Sequence, residues 1–211
     1  MSIKAVVFDF DGTLVDTNTF VLKHLEKTLD KIGWKSKEES LEQAKQVLGR
    51  NLSFEKFFEE VFDTQWEEIL KAYREDATET KYVARPGMLE YVNTLQKDNV
   101  SLYILSNRDN LMELRLQQAG FDPDSFKIYR APEGHKKPDD KAYSEVINDI
   151  NEKGIEEVLI IGNHPDDYLA LPTDWKKQFR AFPDTEENTK EFSQIFDLGD
   201  EQIYDEIFNI S

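Results

Sequence analysis

Apart from Lys4, the run from Ile3 to Phe8 is apolar, and it stops abruptly at Asp9 with Gly12 close behind. Such a run predicts a buried strand that opens into a loop. The period then changes to that of a helix. Val21, Leu25, Leu29 and Ile32 form one stripe, with Gly33 placed to end it. Leu41, Ala44 and Leu48 form a second, ended by Gly49. Phe54, Phe57, Phe58, Val61 and Phe62 form a third, with Ser53 as N-cap. Trp66, Ile69, Leu70, Tyr73 and Ala77 form a fourth, capped by Thr64. Residues 17–83 therefore read as an all-helical block, and the phenylalanine stripe as its core.

Beyond this block helices and strands alternate. Pro86-Gly87 opens a helix carrying Leu89, Val92 and Leu95, and Val100 to Leu105 is a strand ending at Ser106-Asn107. A helix with Leu111 and Leu114 runs to Gly120, and Phe126 to Ala131 is a short strand. Ala142, Val146 and Ile150 mark a helix, and Val158 to Ile161 an apolar strand closed by Gly162. Weaker strands are expected at Phe179 to Phe182 and Ile195 to Leu198, with a last helix carrying Ile203, Ile207 and Phe208. Residues 184–191 read as a solvated loop or helix start. Alternation with buried strands predicts an α/β protein: a Rossmann-like, three-layer parallel sheet core, residues 1–16 and 84–211, with an inserted all-helical cap domain, residues 17–83.

Composition narrows the function classes. Apolar residues make up 39% of the 211 and charged residues 33%, with 14 Phe, enough for a sizeable core. The net charge of −17 repels nucleic acid and anionic membranes, so neither is expected as a partner. It also repels phosphate esters, so a phosphoryl-transfer site here needs its own positive charge. The chain has no Cys, which excludes disulfides and thiolate chemistry. MSIKAVVFDFDG is not a signal peptide, and no apolar run is long enough to span a bilayer. A cytoplasmic protein, monomer or homodimer, is the expectation.

In parallel α/β sheets ligands bind beyond the carboxyl ends of the strands. Here those ends carry Asp9 and Asp11, Ser106 and Asn107, and Asn163 to Asp167, with Lys137 in a loop after the third strand. Asp9 and Asp11 point to the same side of an extended segment. Two adjacent carboxylates repel unless a cation or a shared proton relieves them. The pair therefore suits a divalent metal, or a nucleophile beside a proton carrier. The plain alternative, surface acids or a helix cap, fits poorly with acids that end a buried strand. Gly12 lets the backbone turn closely around a small anion.

DFDGTLVDT, residues 9–17, resembles the first signature of the haloacid dehalogenase-like superfamily. LYILSNRD resembles the second, with Ser106 at its hydroxyl position, and GHKKPDDKAY the third, with Lys137 before Pro138. VLIIGNHPDDYLAL stands in the place of the fourth. The resemblance spans essentially the whole chain and implies Mg²⁺-dependent hydrolysis of a small phosphorylated metabolite. It implies that Asp9 attacks phosphorus to form an aspartyl-phosphate. Asp11 would act as acid and then base, its backbone carbonyl binding Mg²⁺. Ser106 and the Asn107 amide, with Gly12 and Thr13, would hold the phosphoryl group, and Lys137 would neutralise charge. The metal set would be Asp9, Asp11, Asn163 and Asp167. An acid at position 11 favours a phosphatase or phosphomutase over a dehalogenase.

Two features modify this picture. The fourth signature ordinarily reads Gly-Asp, three residues, then Asp, whereas this chain has Asn163 in place of the first acid. An amide still offers a carbonyl to Mg²⁺ but removes one charge. Retained hydrolysis with Asp166 or Asp167 compensating, a specialised activity, and a binding protein without catalysis all follow from that substitution. His164 reads as a satisfied loop residue rather than a ligand. Arg50, in the stretch LGRNL between two cap helices, suits either an acidic substrate or the end of a helix.

Overall fold

The structure is a computed structural model that describes residues 3–48, 50, 52–75, 77–108 and 111–196. Gly49 and the expected last helix around Ile203 to Phe208 lie outside the described residues. The chain forms two compact units, Met1–Val15 with Val83–Ser211, and Asp16–Tyr82.

The first unit is built on five parallel strands: β1 (Ala5–Phe8), β2 (Ser101–Ser106), β3 (Lys127–Arg130), β4 (Val158–Gly162) and β5 (Phe179–Ala181). Their order across the sheet is β3-β2-β1-β4-β5. In register, Phe8 stands between Ile104 and Ile161. The apolar runs of β1 and β4 are buried throughout, because both faces of the sheet are covered. Ala5, Val7, Tyr103, Leu105, Val158 and Ile160 share one cluster with Val146 and Ile150 of α7 (Ser144–Glu152) and Phe192 of α9 (Glu186–Phe196). On the opposite face Phe8 meets the ring edges of Phe126 and of Tyr91, which lies in α5 (Met88–Lys97). The strand expected at Ile195 to Leu198 is corrected: Ile195 and Phe196 end α9, and residues 197–198 lie outside the described residues. Phe192 and Phe196, one helical turn apart, stack their rings, which is why a helical period wins over the short apolar run there.

Strand β1 lies between β2 and β4, so the chain leaves the sheet centre in opposite directions on its two sides. The crevice at such a switch point, at the carboxyl ends of the strands, is where ligands bind in this architecture. The turn after β1 is tied down locally. Gly12 N donates to Val15 O at 2.9 Å, and Arg85 N donates to Leu14 O at 3.0 Å.

The second unit contains α1 (Thr17–Lys31), α2 (Lys37–Val47), α3 (Phe54–Phe62) and α4 (Trp66–Glu75). Asp16 caps α1 by accepting from Thr19 N at 2.9 Å. Ser53 caps α3, as its sequence position predicts. The expected cap at Thr64 is instead part of a 3₁₀ turn, Asp63–Gln65, that runs directly into α4. Helix α2 buries Ser40, Ala44 and Val47, so its stripe is rotated by one position from Leu41 and Leu48. The rotation brings the Ser40 hydroxyl to Trp34, whose Nε1 donates to it at 2.9 Å. Phe58 is fully buried among Phe57, Phe62 and Tyr73, whereas Phe54 at the stripe's end is 37% exposed. His24 is buried between Tyr73 O, 2.7 Å from Nε2, and Thr80 Oγ1, 2.8 Å from Nδ1. A carbonyl only accepts, so Nε2 carries a proton.

Truncating Phe58 leaves a cavity at the centre of this aromatic cluster. Phe58→Ala is expected to lower the unfolding free energy by about 3–5 kcal/mol in urea denaturation. A loss below about 1 kcal/mol would show that the cluster is not the unit's core.

Candidate active site

The loops at the carboxyl ends of β1, β2 and β4, joined by the loop after β3, bring most of the sequence-predicted residues together. Asp9 follows β1 directly and is only 8% exposed, with its N–H donating to Ile161 O at 2.9 Å. Lys137 is buried too, and its Nζ lies 2.6 Å from Asp9 Oδ1 and 2.5 Å from Asp167 Oδ1. A third acceptor, Leu105 O, stands 3.3 Å away. The three donors of one ammonium thus meet a carbonyl and two carboxylates that lie 158 residues apart in sequence.

The loop carrying Lys137 is closed by turn hydrogen bonds such as Asp139 N to Lys136 O at 2.9 Å, and Asn107 ties it to the sheet. The Asn107 side chain accepts from Lys137 N at 2.8 Å and donates to Lys137 O at 3.1 Å. That double bond clips the lysine backbone to the end of β2. Ser106 is buried, and its Oγ accepts from Arg108 N at 3.1 Å. Asp167 is fixed in turn by α8 (Pro165–Leu169): its Oδ2 accepts from His164 N at 3.1 Å, while His164 Nδ1 accepts from Asp166 N at 3.1 Å. His164 is therefore a helix cap, in keeping with its reading as a satisfied loop residue.

The electrostatics follow from two buried acids sharing one buried lysine, with Asp11 close enough to act on Asp9. Burial raises the Asp9 carboxyl, Lys137 pulls it back, and Asp167 and Asp11 push it up again, to about 7. Burial works against the Lys137 ammonium, but Asp167 and Asp9 overcome it and hold the lysine well above its usual value. The pocket holds more negative charge than its lysine offsets.

Asp11 lies apart from this cluster. Its Oδ1 and Oδ2 accept from Arg108 Nη2 and Nε at 2.7 and 2.8 Å in a two-pronged ion pair. Thr13 is fully buried, with Oγ1 3.0 Å from Asn163 Oδ1 and 3.3 Å from Asp9 Oδ2. Asp9 Oδ2 and Asn163 Oδ1 thereby converge on one hydroxyl. Gly12 has φ +80°, and a Cβ there would lie 2.3 Å from Asn163 Nδ2 and 2.7 Å from Asp184 Oδ2. Only glycine satisfies both the backbone and the space. Arg50 belongs to the helical unit, where its Nη1 pairs with Glu60 Oε2 at 3.0 Å.

Three participants escaped the sequence reading. Arg108 stands next to Asn107 in the second signature, and its charge beside two acids was the available signal. Asp184 lay within a stretch read as solvated. Arg85 had no signal at all. Its Nη1 donates to Gly12 O and Phe182 O, each at 2.7 Å, and its Nη2 to Pro183 O at 3.1 Å. Its guanidinium also stacks 3.9 Å over the Phe182 ring. It locks the turn after β1 to the chain leaving β5.

The sequence profile of the haloacid dehalogenase-like hydrolases matches residues 6–171. The chain belongs to that family. A curated relative named "Putative pyrophosphatase PpaX", from Caldanaerobacter subterraneus subsp. tengcongensis, is 28% identical over 178 residues, 81% of this chain and 77% of its own. Among solved structures, a hydrolase of this superfamily from Geobacter sulfurreducens, described as subfamily IA, superposes with a TM-score of 0.63 at 23% identity. That match covers 85% of this chain and 86% of the other. A magnesium-bound structure of the Bacillus subtilis HAD-hydrolase YfnB has a TM-score of 0.60 at 17% identity, covering 94% and 100%. No helix among the described residues is long and apolar enough to cross a membrane.

The chemistry of the donor set fits the Mg²⁺ that the family implies: Asp9 Oδ2 and Asn163 Oδ1 are hard oxygens that both accept from the Thr13 hydroxyl and so lie close to one another. Among the described residues no three acidic or imidazole side chains form a metal cluster. Backbone carbonyl and water would complete the shell, as Mg²⁺ ordinarily prefers. In the absence of metal, Lys137 is the counterion that makes burial of Asp9 and Asp167 tolerable. Lys137→Met is expected to cost about 3–5 kcal/mol of stability in denaturant titrations, because two buried acids lose their partner. Unchanged stability would show that the ion triad is not what holds these loops.

Proposed function

We propose that this hydrolase cleaves small phosphate esters or anhydrides, with Asp9 as nucleophile. The observation that carries the reading is Lys137 Nζ at 2.6 Å from a buried Asp9 whose other oxygen faces Thr13 and Asn163. Asp9 attacks phosphorus, and the bond from phosphorus to the leaving oxygen breaks as the aspartyl-phosphate forms. Asp11 gives its proton to that oxygen. It then takes a proton from water, whose oxygen attacks phosphorus, so phosphate leaves and Asp9 is restored. Ser106 and the backbone of Asn107 hold the phosphoryl oxygens, and Lys137 offsets their charge. Asp167 acts through Lys137, which it orients. Mg²⁺, when bound by Asp9, Asn163 and the Asp11 carbonyl, supplies further positive charge.

The direct test is phosphate release by the purified chain with excess Mg²⁺, from p-nitrophenyl phosphate and a panel of metabolite phosphates including pyrophosphate. Turnover is expected, and Asp9→Asn should lower it at least about a thousandfold. No turnover on any substrate, or a fully active Asp9→Asn protein, would sink the proposal.

Arg108 narrows the substrate. Its Nε and Nη2 occupy both oxygens of Asp11, the group assigned the proton transfer. A leaving group with its own anion offers the guanidinium an alternative partner and frees Asp11. The relative named as a pyrophosphatase is consistent with such a leaving group. Arg108→Ala is expected to lower kcat/KM for pyrophosphate about tenfold or more, with a smaller change for p-nitrophenyl phosphate, whose leaving group needs no acid. Equal losses on both would remove Arg108 from leaving-group recognition.

A further inference from the structure

Asn163 stands where the family's fourth signature has an acid, and the two acids that follow it are committed elsewhere. Asp167 Oδ1 is held by Lys137 at 2.5 Å and its Oδ2 by His164 N. Asp166 belongs to the first turn of α8, where its N–H donates to His164 Nδ1. A different carboxylate does approach Asn163. Asp184 Oδ2 and Asn163 Nδ2 lie 2.7 and 2.3 Å from the same point, the position that a Cβ on Gly12 would take.

Asp184 is built into this place. Phe182 N donates to Gly162 O at 2.7 Å, which carries β5 one residue further along β4. Arg85 holds the carbonyls of Phe182 and Pro183 against that of Gly12. Asn188, 3% exposed in the first turn of α9, donates through Nδ2 to Asp184 Oδ1 at 2.8 Å. With Oδ1 fixed from one side, Oδ2 is turned to Gly12 and Asn163. The Asn163 amide has its nitrogen on the Gly12 side, where Asp184 Oδ2 also lies, and its oxygen toward Thr13.

We infer that Asp184 supplies the negative charge that Asn163 lacks, so that the pair together does what a single acid at position 163 does elsewhere in the family. Its carboxylate stands close behind the amide, and its field strengthens cation binding there. An acid at both positions would place two carboxylates side by side, which is the physical reason for an amide at 163 once Asp184 is present. Asp184 is thus a positioning and charge-supplying residue. This inference rests on the Mg²⁺ site described under the proposed function.

The test is isothermal titration of the metal-free full chain with MgCl₂, together with melting temperatures in EDTA. Asp184→Asn keeps the acceptor for Asn188 and removes only the charge, and it is expected to weaken Mg²⁺ binding about tenfold or more. Asn163→Asp alone is expected to lower the metal-free melting temperature. Asn163→Asp/Asp184→Asn, which moves the charge from one position to the other, should recover both the affinity and the melting temperature. Wild-type affinity in Asp184→Asn, or a double variant no better than the sum of its parts, would overturn the inference while leaving the phosphatase reading intact. Failure of the wild type itself to bind Mg²⁺ would overturn both.

Discussion

One ammonium group, Lys137 Nζ, lies among the buried carboxylates of Asp9 and Asp167 at the carboxyl edge of the sheet. Burying either acid alone would be costly, and burying both without a cation more so. The arrangement also works as a tether. It links the end of β1, the loop after β3 and the first turn of α8, which no backbone ladder joins at that level. Asn107 reinforces it by clipping the Lys137 backbone to the end of β2. In the proposed mechanism stability and chemistry rest on the same contact, so substitution of Lys137 would disturb both.

The sheet order explains why such distant residues meet. With β1 between β2 and β4, the turns after these strands open onto one crevice. A second clamp, Arg85, ties the β1 turn to the chain leaving β5 and so extends the crevice to Asp184. Around Asp9 the charges then divide into three groups. Lys137 balances Asp9 and Asp167, Arg108 balances Asp11, and Asp184 faces the neutral amide of Asn163. Lys137 and Arg108 place two positive side chains among these acids, in a molecule whose net charge is −17.

The architecture was legible in the sequence where period and burial agree. The fully buried strands β1 and β4 appear as unbroken apolar runs, and the helical stripes of α1, α3 and α4 follow their period. The reading failed at Ile195, where a short apolar run belongs to a helix whose Phe192 and Phe196 face the core. In the candidate site, residues at strand ends were legible because the sheet itself places them. Arg85, Arg108 and Asp184 were not, since each owes its position to a long-range contact: with carbonyls 73 and 97 residues away, with Asp11 across 97 residues, and with Gly12 and Asn163. Periodicity carries no information about such contacts.

The account stands or falls on Asp9 as the atom that accepts the phosphoryl group. Its most direct test is borohydride reduction of the enzyme quenched during turnover, followed by mass spectrometry of the peptide containing residues 5–13. An aspartyl-phosphate is reduced to homoserine, whereas a free carboxylate is untouched, so homoserine at position 9, dependent on substrate and absent from Asp9→Asn, is the expected result. Turnover with no homoserine at position 9, or with homoserine at another aspartate, would contradict the account.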